Sequence, residues 1–226
     1  LIDLNTPIVM GILNATPDSF HKGSRIQSNV VLLSRAEEML HDGATILDVG
    51  GYSSRPGATD ISTQEEINRI IPVIEQLIKS FPTAYISIDT FRSEVAQAAL
   101  DSGACMVNDI SGGTLDDQMF QTIAKNNVAY VCMHMRGTPQ TMKQMTHYDD
   151  LLIDILDFFV MQTTKLRKLG VSDILLDPGF GFAKTVDQNY EILKNLQYFQ
   201  HLKLPLLAGL SRKSMIYHSL GISPEE

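Results

Sequence analysis

The stretch "ILLDPGFGFAKT" (residues 174–185) sets three apolar residues against a carboxylate, a proline and two glycines. Three aliphatic residues followed by Asp, Pro and Gly read as a short buried strand, and Asp177 stands where that strand stops. The same grammar recurs along the chain. Apolar runs near 8–13, 45–50, 85–89, 105–109, 129–133, 173–177 and 205–208 alternate with segments of helical period near 28–42, 63–80, 92–102, 116–126, 149–169 and 186–201, and a further helix opens at Ser211. The runs are almost continuously apolar, as parallel strands covered on both faces are. Seven strand-helix units in series predict an α/β fold, a TIM-type (β/α)8 barrel truncated after its seventh strand, with an open doubly wound sheet as the alternative. One barrel domain over 1–226 is expected, its last strand-helix unit missing, because "GISPEE" has the order of a helix N-terminus that is then cut off.

Composition narrows the partners. The 226 residues carry a net charge of −8 and no Lys/Arg-rich run, which argues against nucleic acid and against anionic membrane surfaces. "LLIDILDFFVM" is interrupted by Asp154 and Asp157, and no stretch approaches the roughly 20 apolar residues of a membrane span. The two cysteines, Cys105 and Cys132, lie in strand-like runs and read as buried reduced thiols. The N-terminus has no signal-peptide pattern. A cytoplasmic protein acting on small molecules is the expectation.

The residues at which the apolar runs stop are polar in every case: Asn14, Asp48, Asp89, Asn108 with Asp109, His134, Asp177, and Ser211-Arg212-Lys213. In a parallel barrel these positions share one face, where residues distant in sequence form one pocket. For each residue alone, capping the next helix or binding a loop amide is a competing reading. Their chemistry fits a planar heterocycle with adjacent N–H donors, such as a pterin or purine, gripped by Asp89, Asn108 and Asp177. Gly179 and Gly181 leave room for close approach of backbone or of a flat ring, with Phe180 or Phe182 to stack on it. "SSRPG" (53–57) and "SRK" (211–213) offer hydroxyls, cations and backbone N–H groups to a phosphate. No His/Cys spacing marks a zinc site, whereas Mg²⁺ arriving with a phosphate needs few protein ligands. His134, a lone His beneath a loop, reads as structural rather than basic. The Thr- and Met-rich segment 135–148 has the length of a mobile active-site loop.

Seven segments in order, "MGILNATPDSF" (10–20), "GATILDVGGYSSRPGA" (43–58), "ISIDT" (86–90), "MVNDISGG" (106–113), "MHMRGTPQTM" (133–142), "DPGFGFAK" (177–184) and "GLSRKS" (209–214), resemble dihydropteroate synthase. The resemblance covers essentially the whole chain. It implies a dimeric TIM barrel of folate biosynthesis that joins 6-hydroxymethyl-7,8-dihydropterin diphosphate to 4-aminobenzoate, releasing diphosphate and 7,8-dihydropteroate, and that sulfonamides inhibit. It also implies that Asn14 holds Mg²⁺ and that Asp89, Asn108, Asp177 and Lys213 grip the pterin. Ser54, Arg55 and Ser211 would line the aminobenzoate and phosphate region, shaped by Phe182 and Arg212, with Asp89, Lys213 and Arg55 acting in catalysis.

This sequence departs from the family at Tyr52 and Ser54, where Glu and Thr are usual, and at "FHKGSR" (20–25). It stops before the Arg-x-His pair of the family's last strand. A corrinoid methyltransferase using methyltetrahydrofolate, and a non-catalytic pterin-binding relative, are the alternatives. The cationic groups Arg55 and "SRK" favour the synthase, since the methyltransferase has no leaving diphosphate to meet.

Overall fold

A computed structural model of the chain describes residues 2–15, 25–53 and 60–223, with 25–29 as backbone only. Among the described residues six strands lie side by side in chain order: β1 (Val9–Asn14), β2 (Ala44–Gly50), β3 (Tyr85–Asp89), β4 (Met106–Asp109), β5 (Ala129–Met133) and β6 (Ile174–Asp177). Every neighbouring pair is parallel. A doubly wound sheet reverses its strand order at a switch point, and this one never does, so the winding is that of the TIM-type barrel. The connecting helices are α1 (Arg25–His41), α2 (Thr63–Ser80), α3 (Ser93–Asp101), α4 (Met119–Asn126), α5 (Leu151–Lys168) and α6 (Val186–Lys194), and α7 (Ser214–Leu220) follows the 205–208 segment.

Expectations for the seventh strand, the sixth helix and the cysteines need correction. Residues 205–208 form one parallel bridge to β6, through Leu176 N–H to Pro205 O (2.9 Å) and Leu207 N–H to Leu176 O (2.8 Å), and no full strand. Pro205 has no N–H to extend the ladder. The helix read as 186–201 ends at Lys194, where the Asn195 N–H closes it onto the last carbonyls, and a 3₁₀ stretch, Leu196–Leu202, carries the chain on. Cys105 precedes β4 and is exposed; only Cys132 is buried.

The period-2 alternation of the strands divides the core. One set, Leu47, Val49, Ile86, Ile88, Val107, Tyr130 and Leu176, packs outward with Ile70, Ile74 and Leu77 of α2 and Ile155 and Phe159 of α5. Burial of each such side chain contributes about 1.5–3 kcal/mol. α2 shows why these residues choose a helix. Ser62 caps it by accepting the Glu65 N–H, and Ile70, Val73, Ile74 and Leu77 recur at spacings that fall on one face. The alternate set, Met10, Ile46, Tyr85, Met106, Val131, Leu175 and Leu207, fills the barrel interior as a second apolar cluster. Two residues further along β2, β3, β4 and β6, and so on the same face, stand Asp48, Ser87, Asn108 and Asp177, and the interior turns polar.

Candidate active site

Strand register aligns Asn14, Gly50, Asp89 and Asn108 in one row across β1 to β4. Glycine matters at position 50. A Cβ there would lie 3.4 Å from Asp89 Oδ2 and 3.7 Å from Asn14 Oδ1, so both oxygens border the space that Gly50 leaves open. Asn108 is fixed from below: its Nδ2 donates to Asp48 Oδ2 at 2.8 Å. Asp48 Oδ1 and Ser87 Oγ, both buried, have no hydrogen-bond partner among the described residues. Burial raises the Asp48 carboxyl above its ordinary range, against the pull of its Ser87 and Asn108 neighbours.

Asp89 is pushed well above the usual carboxylate range, first by burial and then by the negative charges of Asp48, Glu66 and Asp109, while Lys213 opposes the rise. Asp177 lies across the mouth, 8% exposed, its Oδ1 accepting the Gly179 N–H at 2.7 Å. Burial lifts its carboxyl to about 6, against the stabilising Gly179 N–H and the charges of Lys213 and Lys184. Lys213 completes the group. It precedes the first residue of α7, so that helix starts at Ser214 and not at Ser211, and Arg212 before it takes a left-handed backbone (φ +55°). Its ammonium sits 4.8 Å over the Phe182 ring. Burial lowers its pKa, and Asp177 and Asp89 counter that.

The structure therefore brings Asn14, Asp89, Asn108, Asp177, Phe182 and Lys213 to one end of the barrel. Ser211 and Arg212 stand exposed on the adjoining turn, and their side chains make no hydrogen bond or ion pair with the described residues. Ser54 and Arg55 lie outside the described residues, as does "TPDSF" (16–20). Phe180 is removed from the stacking role: at 1% exposure it belongs to the outer core, which leaves Phe182.

His134 is buried with Nδ1 3.0 Å from Lys184 Nζ and Nε2 3.4 Å from Asp154 Oδ1. Burial, with the Lys184 and Arg136 charges, holds its pKa down to about 2. A neutral ring that accepts from Lys184 at Nδ1 carries its proton on Nε2, toward Asp154, so it is structural as expected. Asp109 is also occupied, accepting from Ser111 N–H and Oγ–H (2.7 Å each), Gly113 N–H (2.9 Å) and Tyr130 O–H (2.7 Å). The segment 135–148 is not a free loop. Gln140 donates to Tyr52 Oη (2.8 Å), Met142 is buried, Arg136 bonds Asp154 and stacks 4.0 Å over Tyr148, and Tyr148 donates to Ala183 O (2.9 Å).

Sequence reasoning passed over two buried charges. Lys184 was visible as the end of "GFGFAK" but carried no spacing that marks it. Glu66, 0% exposed, accepts from Thr90 Oγ1–H and Arg92 Nη1–H at 2.8 Å each; with Glu65 it is one of two acidic residues in the first turn of α2, where nothing local distinguishes it.

Chemically, the site pairs two carboxyl groups, Asp177 buried and Asp89 half-buried, with one ammonium and two amides. Ring N–H donors would compensate the carboxylates for the water they have lost, and Lys213 would meet an acceptor or an anion. Asn14 and Asp89 present hard oxygen donors to one space, which suits a Mg²⁺ ion that keeps most of its waters. Among the described residues no group of three or more His, Cys, Asp or Glu forms a metal cage.

Comparison with known proteins agrees. The model of the family described as "Pterin binding enzyme" matches residues 10–225. The dihydropteroate synthase of Escherichia coli K12 is 41% identical over 227 residues, covering 100% of this chain and 80% of that protein. That of Synechocystis is 47% identical over 210 residues, 92% of this chain and 72% of that protein. A crystal structure of Yersinia pestis dihydropteroate synthase with a sulfonamide drug complex superposes with a TM-score of 0.91 at 41% identity, covering 99% of this chain and 82% of that one. The Xanthomonas albilineans enzyme in complex with 7,8-dihydropteroate gives 0.87 at 34% identity, covering 99% and 80%. The chain belongs to the pterin binding enzyme family, and within it to the dihydropteroate synthases.

Proposed function

We propose that this chain condenses 6-hydroxymethyl-7,8-dihydropterin diphosphate with 4-aminobenzoate to give 7,8-dihydropteroate and diphosphate, a transferase step of folate biosynthesis. The observation that carries this is the convergence of Asp89, Asn108 and Asp177 with Lys213 at the polar end of an otherwise apolar interior. Asp177 as a carboxylate accepts the adjacent N–H donors of the amino-pyrimidine edge. Asn108, its Nδ2 held by Asp48, keeps its carbonyl for the ring. Phe182 stacks on the ring plane beneath Lys213.

In the reaction the arylamine nitrogen forms a bond to the pterin methylene carbon, the C–O bond to diphosphate breaks with its electron pair, and the amine loses a proton. Positive charge develops on the pterin, where Asp89 offsets it, and negative charge on the leaving group, toward Lys213 and, from outside the described residues, Arg55. No protein nucleophile is needed. Mg²⁺, held beside Asn14, would neutralise the diphosphate. Ser54, Ser211 and Arg212 bound the aminobenzoate side in this reading. Exposed Val186, Tyr190 and Leu193, on one face of α6, support the homodimer.

The test is turnover. The chain with both substrates and Mg²⁺ is expected to form dihydropteroate and diphosphate one for one, with sulfonamide competing against aminobenzoate. Binding of the pterin diphosphate without product over hours would reduce the reading to a pterin-binding protein.

A further inference from the structure

Three residues in the loop after β6, Gly179 (φ +73°), Gly181 (φ +82°) and Ala183 (φ +51°), take left-handed backbone conformations. This alternation curls the loop so that the carbonyls of Gly179 and Phe182 face one point. Lys184 Nζ occupies that point, 3.1 Å from Gly179 O and 3.0 Å from Phe182 O. The same ammonium reaches His134 O at 3.3 Å and His134 Nδ1 at 3.0 Å, at the end of β5. Four acceptors thus surround three N–H donors on a side chain that is only 8% exposed. The loop also lies against β5 too closely for any side chain at 179, where a Cβ would come within 2.1 Å of His134 O.

A buried lysine is costly, and burial pulls this one down to about 7, with Asp177 and Asp154 opposing the fall and Lys213 and Arg136 adding to it. A residue that only filled space here would be better served by methionine. What the amine does instead is join two segments that flank the ring site, the end of β5 and the loop bearing Asp177 and Phe182.

We infer that Lys184 is a positioning residue of the pterin site, holding the Asp177–Phe182 loop against the end of β5 so that carboxylate and aromatic ring keep the spacing a pterin requires. The inference rests on the proposed function, since it needs a pterin at Asp177. It predicts that loss of the amine is felt in pterin binding more than in the chemical step or in global stability.

The experiment compares the unmutated protein with Lys184→Met, Lys184→Gln and, as a stability control, Ile74→Ala in the outer core far from the loop. Affinity for pterin diphosphate with Mg²⁺ is measured by calorimetry well below each melting temperature, with KM and kcat alongside. The expected result is a Kd at least tenfold higher in Lys184→Met and a smaller rise in Lys184→Gln. KM for the pterin should rise more than kcat falls, and Ile74→Ala should melt lower yet bind within twofold of the unmutated protein. Pterin affinity in Lys184→Met within threefold of the unmutated protein would overturn the inference alone. So would failure of both Lys184 variants to fold, which would make the lysine a core residue. If the unmutated protein itself does not bind the pterin, the proposed function falls first and this inference with it.

Discussion

Asp177 couples affinity to instability in a way one substitution can expose. Its carboxyl rises from 3.8 to about 6 in the folded chain because burial disfavours the charge. The folded-state pKa is raised, so the associated stability is fully present below pH 3.8 and is lost as pH climbs through about 6. At pH 7–8 the ionised group costs the protein up to about 3 kcal/mol, at 1.36 kcal/mol per unit. Asp177→Asn removes that charge and keeps an oxygen for the Gly179 N–H. The apo variant should therefore melt higher than the parent above pH 7, by as much as about 10 °C at 2–4 °C per kcal/mol, and the gap should close near pH 4. Pterin affinity should move the other way, falling by about 2–4 kcal/mol, because an amide offers the paired N–H donors one acceptor and a misplaced NH₂. Differential scanning calorimetry across pH 4–8 and titration calorimetry at pH 7.5 read both. A variant that melts lower than the parent at every pH, or that is more stable by the same amount at pH 4 and pH 8, would refute the argument that an incompletely compensated buried charge sits at 177.

Three further outcomes follow from the geometry. Lys213→Met removes the cation that restrains both Asp89 and Asp177, so the acid limb of the kcat/KM profile should move to higher pH and kcat/KM should fall by about 10²–10³; an unmoved limb would separate Lys213 from these carboxyls. Arg92→Met leaves the Glu66 carboxylate buried with Thr90 as its remaining partner, at a cost of about 3–5 kcal/mol in urea melts, and adding Glu66→Gln should recover at least half of it. Ala183→Gly relieves a left-handed alanine and should stabilise the chain by about 1 kcal/mol, read as a higher urea midpoint at unchanged slope.

The sequence was most legible where chain-local physics decides. Six of seven apolar runs are strands within a residue or two of expectation, because a buried parallel strand must be short, aliphatic and bounded by turn residues. Asn14, Asp89, Asn108 and Asp177 were legible because each ends such a run. The seventh run failed at Pro205, whose missing N–H limits pairing and whose outcome depends on what lies beside it. Cys105 was misplaced because its apolar neighbours hid that it precedes β4 rather than lying in it. Lys184 and Glu66 go unmarked in the sequence for a different reason: a buried charge is recognised by partners up to 50 residues away, His134 for one and Arg92 for the other, and no local pattern announces them. Phe180 and Phe182 could not be told apart before the backbone placed one in the core and the other under Lys213.

The most direct test of the central claim is a crystal structure of the chain with the pterin diphosphate, or with pteroate as product. The account predicts the amino-pyrimidine edge within hydrogen-bonding distance of Asp177, the ring bordered by Asp89 and Asn108, and Phe182 and Lys213 against its face. A pterin bound elsewhere, or at this end of the barrel with Asp177 still bonded only to Gly179, would contradict it.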